Sequence, residues 1–119
     1  MADGTVALLW PATDNDGHAA AWLAFRRGLE VLRTTAPAVI GGEPVAVGSF
    51  VVRGPSTELA KLAAEAPLAP VAAVADLDLA TVAVSEPRIA LVETWFHDMD
   101  AGWTRWVLDD AGIPFTVLR

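Results

Sequence analysis

The sequence contains no cysteine, two histidines and eight Lys and Arg residues against fifteen Asp and Glu. The missing thiols exclude disulfide bonds, thiolate metal sites and cysteine nucleophiles. The net charge is −7 and the basic residues are scattered, whereas phosphate backbones and anionic membranes require clustered cations. Nucleic acid and membranes are therefore disfavoured as partners.

Long hydrophobic runs are also missing. The longest apolar stretch, residues 66–75, is ten residues long and contains two prolines, so it is too short and too broken to cross a bilayer. The N-terminus lacks the basic start and apolar run of a signal peptide. We expect a soluble protein without a signal peptide in this chain, and the sequence does not indicate its compartment.

The composition predicts a small globular domain. Hydrophobic residues make up 54% of the 119 positions and charged residues 19%, which is typical of one folded domain covering 1–119. Apolar periodicity and capping residues predict about three helices. These lie over residues 18–29, 56–66 and 99–111.

Strands are predicted between these helices. The pattern favours strands at 5–10, 30–35, 88–93 and 115–118, with a β-hairpin around Gly41-Gly42, while residues 70–84 are ambiguous. Strands that alternate with helices are typical of a layered α/β sheet with mostly parallel strands. We therefore expect a small, mostly parallel, flavodoxin-like α/β fold that includes one hairpin.

The segment WFHDMDAGWTRW, residues 95–106, is the most unusual stretch. One hypothesis is a metal site, because His97, Asp98 and Asp100 are close in sequence and such groups bind zinc or iron. His18, which also lies near aspartates, would have to complete it. The corresponding function would be a metal-dependent hydrolase that uses both histidines.

The alternative interpretation of this segment is structural. Asp98 stands where an N-cap residue belongs, and Asp100 lies in the first turn, where the helix dipole favours negative charge. The predicted helix is apolar on two stripes, so it should be covered on more than one side. A second copy of the chain or additional sequence would supply that cover. The two stripes consist of Met99, Trp103, Trp106 and Val107, and of Thr104, Leu108 and Ala111.

A third hypothesis is a module that binds a small molecule or a peptide. Ligands of α/β sheets often lie at strand ends, which points to a pocket near Trp10, Asp14, Glu93 and His97. The sequence contains no nucleophile elbow and no phosphate-binding loop, so no catalytic residue is assigned. The candidate binding residues are Glu93, Trp95, His97, Asp98, Asp100 and Arg105.

Residues 88–119 also resemble a segment of bacterial zinc carboxypeptidase-like proteins of the carboxypeptidase A superfamily. That segment contains Met-Asp-Glu-Gly-Trp-Thr-Arg-Trp and opens a region similar to a class I glutamine amidotransferase domain. A weaker similarity covers 42–66. The matching residues are Arg88, Ile89, Leu91, Trp95, Met99, Asp100, Gly102, Trp103, Thr104, Arg105, Trp106, Pro114, Phe115 and Thr116, and upstream Gly42, Gly48, Ser49, Phe50, Val51 and Val52.

The resemblance implies a non-catalytic accessory or assembly role beside a metallopeptidase. Residues 88–119 would form the opening strand-helix-strand of the amidotransferase-like region. The partners would be a second copy of this chain or a peptidase domain. Zinc belongs to the peptidase part of the family, and no cofactor is expected in this chain, which lacks the family's ligand motif. Ala101 departs from the pattern, because the family has Glu at this position.

Overall fold

The computed structural model describes residues 5–40, 42–74, 79–93 and 99–118. The chain divides into two compact units, Met1–Ser85 and Glu86–Arg119, called unit 1 and unit 2 below. The elements in chain order are β1 (Thr5–Trp10), α1 (Asn15–Arg26), β2 (Glu30–Thr34), β3 (Ala38–Ile40), β4 (Glu43–Val45), β5 (Phe50–Pro55), α2 (Ser56–Glu65), β6 (Ala72–Val74), β7 (Thr81–Val84), β8 (Ala90–Val92), α3 (Met99–Ala111) and β9 (Thr116–Leu118).

Unit 1 is built on a five-stranded sheet with the order β6-β1-β5-β2-β7, in which each strand is antiparallel to its neighbours. Helix α1 connects β1 to β2, and β5 lies between these two strands. Helix α2 connects β5 to β6, and β1 lies between those two. Two interleaved split β-α-β units of this kind define the ferredoxin-like topology.

The prediction of a mostly parallel, flavodoxin-like sheet was therefore wrong. The alternation of strands and helices correctly implies that β1 and β2 run in the same direction, since both are antiparallel to β5. It does not imply that they are neighbours, and β5 separates them. The parallel pairing that the structure does contain is between β8 and β9. The three helices of the structure agree with the number predicted.

One face of the main sheet carries the helices and the larger core. Alternate residues of the central strands, including Trp10, Phe50 and Val52, pack there against α1 and α2. Trp10 is fully buried, and its indole Nε1 donates to the carbonyl oxygen of Leu68 at 2.7 Å. Three buried alanines of α1 bring this helix close to the strands. They are Ala20, Ala21 and Ala24.

The opposite face is partly covered by the β3–β4 hairpin. Leu9, Leu32 and Val51 pack there with Val45 of the hairpin. The hairpin agrees with the predicted turn, and Gly42 has a φ of 85°, which favours glycine. Gly41 lies outside the described residues.

A short polar network fixes the return from the hairpin to β5. The carbonyl oxygen of Ala46 accepts from Ser49 Oγ at 2.7 Å and from Thr34 Oγ1 at 3.0 Å. Thr34 Oγ1 in turn accepts from the Ser49 backbone N–H at 3.1 Å. Because both side chains are buried, these bonds satisfy groups that would otherwise be costly to bury.

Unit 2 is a β-α-β segment. Strands β8 and β9 pair in parallel, with Val92 opposite Leu118, and α3 connects them. The bounds of α3 agree with the predicted helix over 99–111. Ala101 is the buried residue of this helix, at the position where the family pattern has Glu. Across the described parts of both units, no helix is long and apolar enough to span a bilayer.

Gly17 marks the closest approach between α1 and the chain that precedes it. A Cβ atom placed on Gly17 would lie 1.9 Å from the carbonyl oxygen of Pro11, whereas one on Gly102 of α3 would meet nothing within 4 Å. Ala normally stabilises a helix relative to Gly by about 1 kcal/mol. At Gly17 the clash outweighs that gain, because backbone atoms cannot move away cheaply.

We predict that Gly17→Ala lowers the free energy of unfolding by about 1–3 kcal/mol. The matched variant Gly102→Ala should raise the stability of unit 2 by up to about 1 kcal/mol. Urea unfolding followed by far-UV circular dichroism measures both changes. A Gly17→Ala protein as stable as the parent would contradict the close packing of α1 on Pro11.

Ion pairs connect α2 to the end of α1. Arg27 pairs with Glu65 and lies 3.9 Å from Glu58, which also pairs with Lys61 at 3.5 Å. The hydrogen bond from Arg27 lowers the pKa of the Glu65 carboxyl below its usual value. A lowered pKa in the folded state gives a stabilisation that is present above the unfolded-state pKa and is lost as the pH falls through the folded-state pKa.

We predict that Glu65→Gln destabilises unit 1 at neutral pH, and that its difference from the parent protein shrinks as the pH falls below the usual glutamate range. Thermal melts across a pH series measure this difference. Glu86→Gln, at an exposed position in unit 2, is the control and should show no such trend. A Glu65→Gln difference that grows on acidification would show that the sign of the pKa shift is wrong.

Candidate functional site

Two of the six candidate binding residues form an ion pair in unit 2. Glu93 follows β8, and its backbone N–H donates to the carbonyl oxygen of Leu118 at 2.8 Å. Its carboxylate pairs with the guanidinium of Arg105 from α3. The Glu93 side chain is mostly buried and that of Arg105 is about one third exposed. The ion pair links α3 to the end of β8, which gives both residues a structural role.

Of the other four candidates, Asp100 is the one that lies within the described residues. Asp100 is exposed in the first turn of α3, and its carbonyl oxygen accepts from Thr104 Oγ1 at 2.8 Å. Trp95, His97 and Asp98 lie outside the described residues, so the predicted N-cap and the His97 half of the metal hypothesis stay predictions.

His18 lies in α1 of unit 1 and has a structural environment. Its Nε2 is 2.9 Å from the carbonyl oxygen of Ala12, and its ring contacts Phe50 edge-on, with 4.9 Å between ring centroids. A carbonyl oxygen only accepts, so Nε2 carries the proton and donates. That nitrogen is therefore not available to a metal ion, whereas Nδ1 is not engaged by this bond.

The described residues contain no cluster that fits a zinc ion. No group of three or more His, Asp or Glu side chains within 5–40, 42–74, 79–93 and 99–118 could hold a metal ion. We therefore derive no chemistry through zinc for this part of the chain.

The apolar face of α3 is the most conspicuous surface of unit 2. Met99, Trp103, Trp106 and Val107, called the indole face below, are between 55% and 69% exposed. The two indoles contact each other edge-to-face, with 6.4 Å between ring centroids. The sequence predicted this stripe, and the structure leaves it open to solvent. Solvent-exposed tryptophans in one cluster are typical of interaction surfaces.

Unit 1 contains a cavity that the sequence did not predict. Its volume is about 400 Å³, and it lies between the end of β1 and the β3–β4 hairpin. Trp10 and Asp14, two of the four residues near which a pocket was predicted, do not line this cavity: Trp10 is in the core, and Asp14 caps α1 by accepting from the Asp16 N–H at 2.9 Å. The lining residues are Pro11, Thr13, Ile40, Glu43, Pro44, Val45, Ala46, Ser49 and Val71.

The sequence did hold one signal for this cavity. Gly42 permits the positive φ of the hairpin turn, and Pro44 cannot donate to a sheet ladder, which is consistent with a hairpin that forms a sheet separate from the main one. A hairpin paired only with itself, within the described residues, leaves hollows beside it. The resulting pocket depends on tertiary packing, which periodicity does not report.

Comparison with protein-family models, curated proteins and solved structures finds nothing that matches this chain.

We predict that Glu93 and Arg105 are energetically coupled. A double-mutant cycle with Glu93→Gln and Arg105→Met should give a coupling free energy of about 1 kcal/mol, at the upper end of exposed ion pairs. Urea unfolding followed by tryptophan fluorescence measures it. In the control cycle, Asp110→Asn takes the place of Glu93→Gln, because Asp110 is exposed on the same helix as Arg105 but is not at the i+3 or i+4 spacing from it. Equal coupling in both cycles would count against the Glu93–Arg105 pair.

Proposed function

We propose that this chain is a non-catalytic assembly module that self-associates through unit 2. The observation that carries the proposal is the indole face, where two tryptophans, a methionine and a valine are exposed on one helix of an acidic chain. Tryptophan is enriched among the residues that dominate binding free energy at protein interfaces.

The area of the indole face is significant but not sufficient by itself. At 63% and 59% exposure, the two indoles would bury roughly 250 Å² per copy. A standard interface buries about 800 Å² per partner. The indoles would therefore supply roughly a third of what a stable dimer needs, and neighbouring apolar surface has to be buried with them.

The strands of unit 2 carry further exposed apolar side chains. Val92 and Leu118 are opposite each other in the β8–β9 pair, and both side chains are exposed. Parallel sheets normally have both faces covered, and a sheet of two short strands is marginal in water. Unit 2 thus exposes apolar side chains both on its helix and on its strands.

A second copy of the chain is the occupant that we propose for this surface. Two α3 helices packed antiparallel around Trp103 would set Met99 of one copy opposite Val107 of the other, because both lie four positions from Trp103. The acidic residues Asp109 and Asp110 would then lie beyond the contact. The dipoles of the two helices would be antiparallel, which is electrostatically favourable. The surface is therefore complementary to itself, as a twofold interface requires.

The wider setting of the proposal is a zinc carboxypeptidase-like protein in which this region supports assembly. It is supported by the residues of 88–119 that match the family segment, which include Met99, Trp103, Trp106 and Arg105. In this setting the indole face would be part of the non-peptidase region. A peptidase domain is the competing occupant.

We predict that the chain is a dimer, and that Trp103→Ala and Trp106→Ala each weaken it by about 2 kcal/mol, or roughly thirtyfold in Kd. Sedimentation velocity across the micromolar range measures Kd, and tryptophan emission should shift to the red on dilution. Val39→Ala, which removes an exposed apolar side chain in unit 1, is the matched control.

A monomer at every concentration would overturn self-association and leave a different chain as the occupant. A dimer that both tryptophan variants leave unchanged would overturn the role of the indole face. A dimer weakened equally by Val39→Ala would also contradict it, because that residue belongs to unit 1.

A further inference from the structure

We infer that the cavity of unit 1 is a binding site for a small ligand with a compact apolar body and a protonated amine. This inference is independent of the proposed assembly function, because the cavity and the indole face share no residue. It rests on the size of the cavity, on its lining and on the position of one carboxylate.

The size and the composition of the cavity suit a small molecule. About 400 Å³ lies within the usual range of ligand pockets. Most of the lining is apolar, with Ile40, Pro44 and Val45 from the hairpin and Pro11 and Val71 from the adjoining chain. An apolar body can therefore displace water from most of this surface favourably.

The polar groups of Ser49, which lines the cavity, are already satisfied. Ser49 Oγ donates to the Ala46 carbonyl oxygen, and the Ser49 backbone N–H donates to Thr34 Oγ1. Binding an apolar ligand therefore leaves no buried donor of Ser49 without a partner. The usual free-energy penalty for an unpaired buried donor does not arise. The same bonds hold this wall in one conformation, so the cavity is preformed.

Glu43 supplies the charge that selects the ligand. It lines the cavity, its side chain is exposed, and it forms no ion pair or side-chain hydrogen bond with the described residues. A carboxylate beside an apolar pocket favours a cationic N–H donor over an anion. The net charge of −7 acts in the same direction, because it attracts cations to the protein and repels anions.

A neighbouring hollow provides the internal comparison. It has a volume of about 440 Å³, lies on the side of the hairpin where Pro37 and Val39 are found, and is lined by residues with apolar side chains. It shares Pro44, Val45 and Ala46 with the cavity but lacks a carboxylate. A cationic ligand should therefore distinguish the two hollows, whereas a neutral apolar molecule should not.

The test uses benzylamine, benzyl alcohol and benzoate as probes of equal shape and different charge. Amide resonances of the full-length chain are followed by NMR during titration at neutral pH. We expect benzylamine to shift the resonances of Val45, Ala46 and Ser49, to bind more tightly than benzyl alcohol, and to weaken as salt is added. Benzoate should not bind in the cavity.

Three variants make the assignment specific. Glu43→Gln should weaken benzylamine about fivefold and leave benzyl alcohol unchanged. Val71→Trp, at an exposed position on the cavity wall, should abolish binding of both probes by filling the space. Val39→Trp is the matched control, since it fills the neighbouring hollow and should leave benzylamine binding intact.

The outcomes that overturn the inference are equally specific. Benzylamine shifts that are absent, or spread over acidic surface residues, would exclude the cavity as an amine site. Equal affinities of the parent protein and Glu43→Gln would remove the role of the carboxylate. If Val71→Trp does not fold, the comparison of Glu43→Gln with the parent protein still tests whether the carboxylate contributes to amine binding. None of these outcomes affects the dimerisation measurement, so the two proposals fail separately.

Discussion

The pairing of β5 between β1 and β2 is the interaction on which unit 1 depends. Phe50, Val51 and Val52 are buried in succession, so this strand is covered on both faces. Its antiparallel register with both neighbours forces α1 and α2 to cross over an intervening strand, which places both helices on the same face. The other face is then left for the hairpin. The cavity follows from this arrangement, since a short hairpin covers that face only in part.

The two units differ sharply in how much of their apolar surface they bury. Unit 1 buries strand residues on both sides of its sheet, and its alanine-rich helix approaches the strands closely. In the described part of unit 2, Ala101 is the buried residue, while Trp103 and Trp106 are exposed. An isolated β-α-β segment of 34 residues has too little material to surround its own helix. The incomplete burial is therefore a property of its size, and association is one way to correct it.

Local features of this fold could be predicted from the sequence, but strand adjacency could not. The bounds of α3 and the hairpin turn follow from capping, periodicity and paired glycines, which act over a few residues. The consecutive apolar residues of β5 are typical of strands in parallel sheets. Here the same pattern arises because helices cover one face of an antiparallel sheet and a hairpin covers the other. The sequence predicted Glu93 and Arg105 as binding residues but did not predict that they contact each other. The cavity could not be predicted because it depends on long-range packing.

Charge and apolar surface are separated in this chain in a way that favours two kinds of interaction. The indole face brings together four apolar side chains on α3, whereas Glu43 places one carboxylate beside an apolar cavity. Burial of the first surface is non-directional, so it suits a broad contact with another chain. The second surface combines a cavity with one carboxylate, which suits discrimination among small molecules of equal shape.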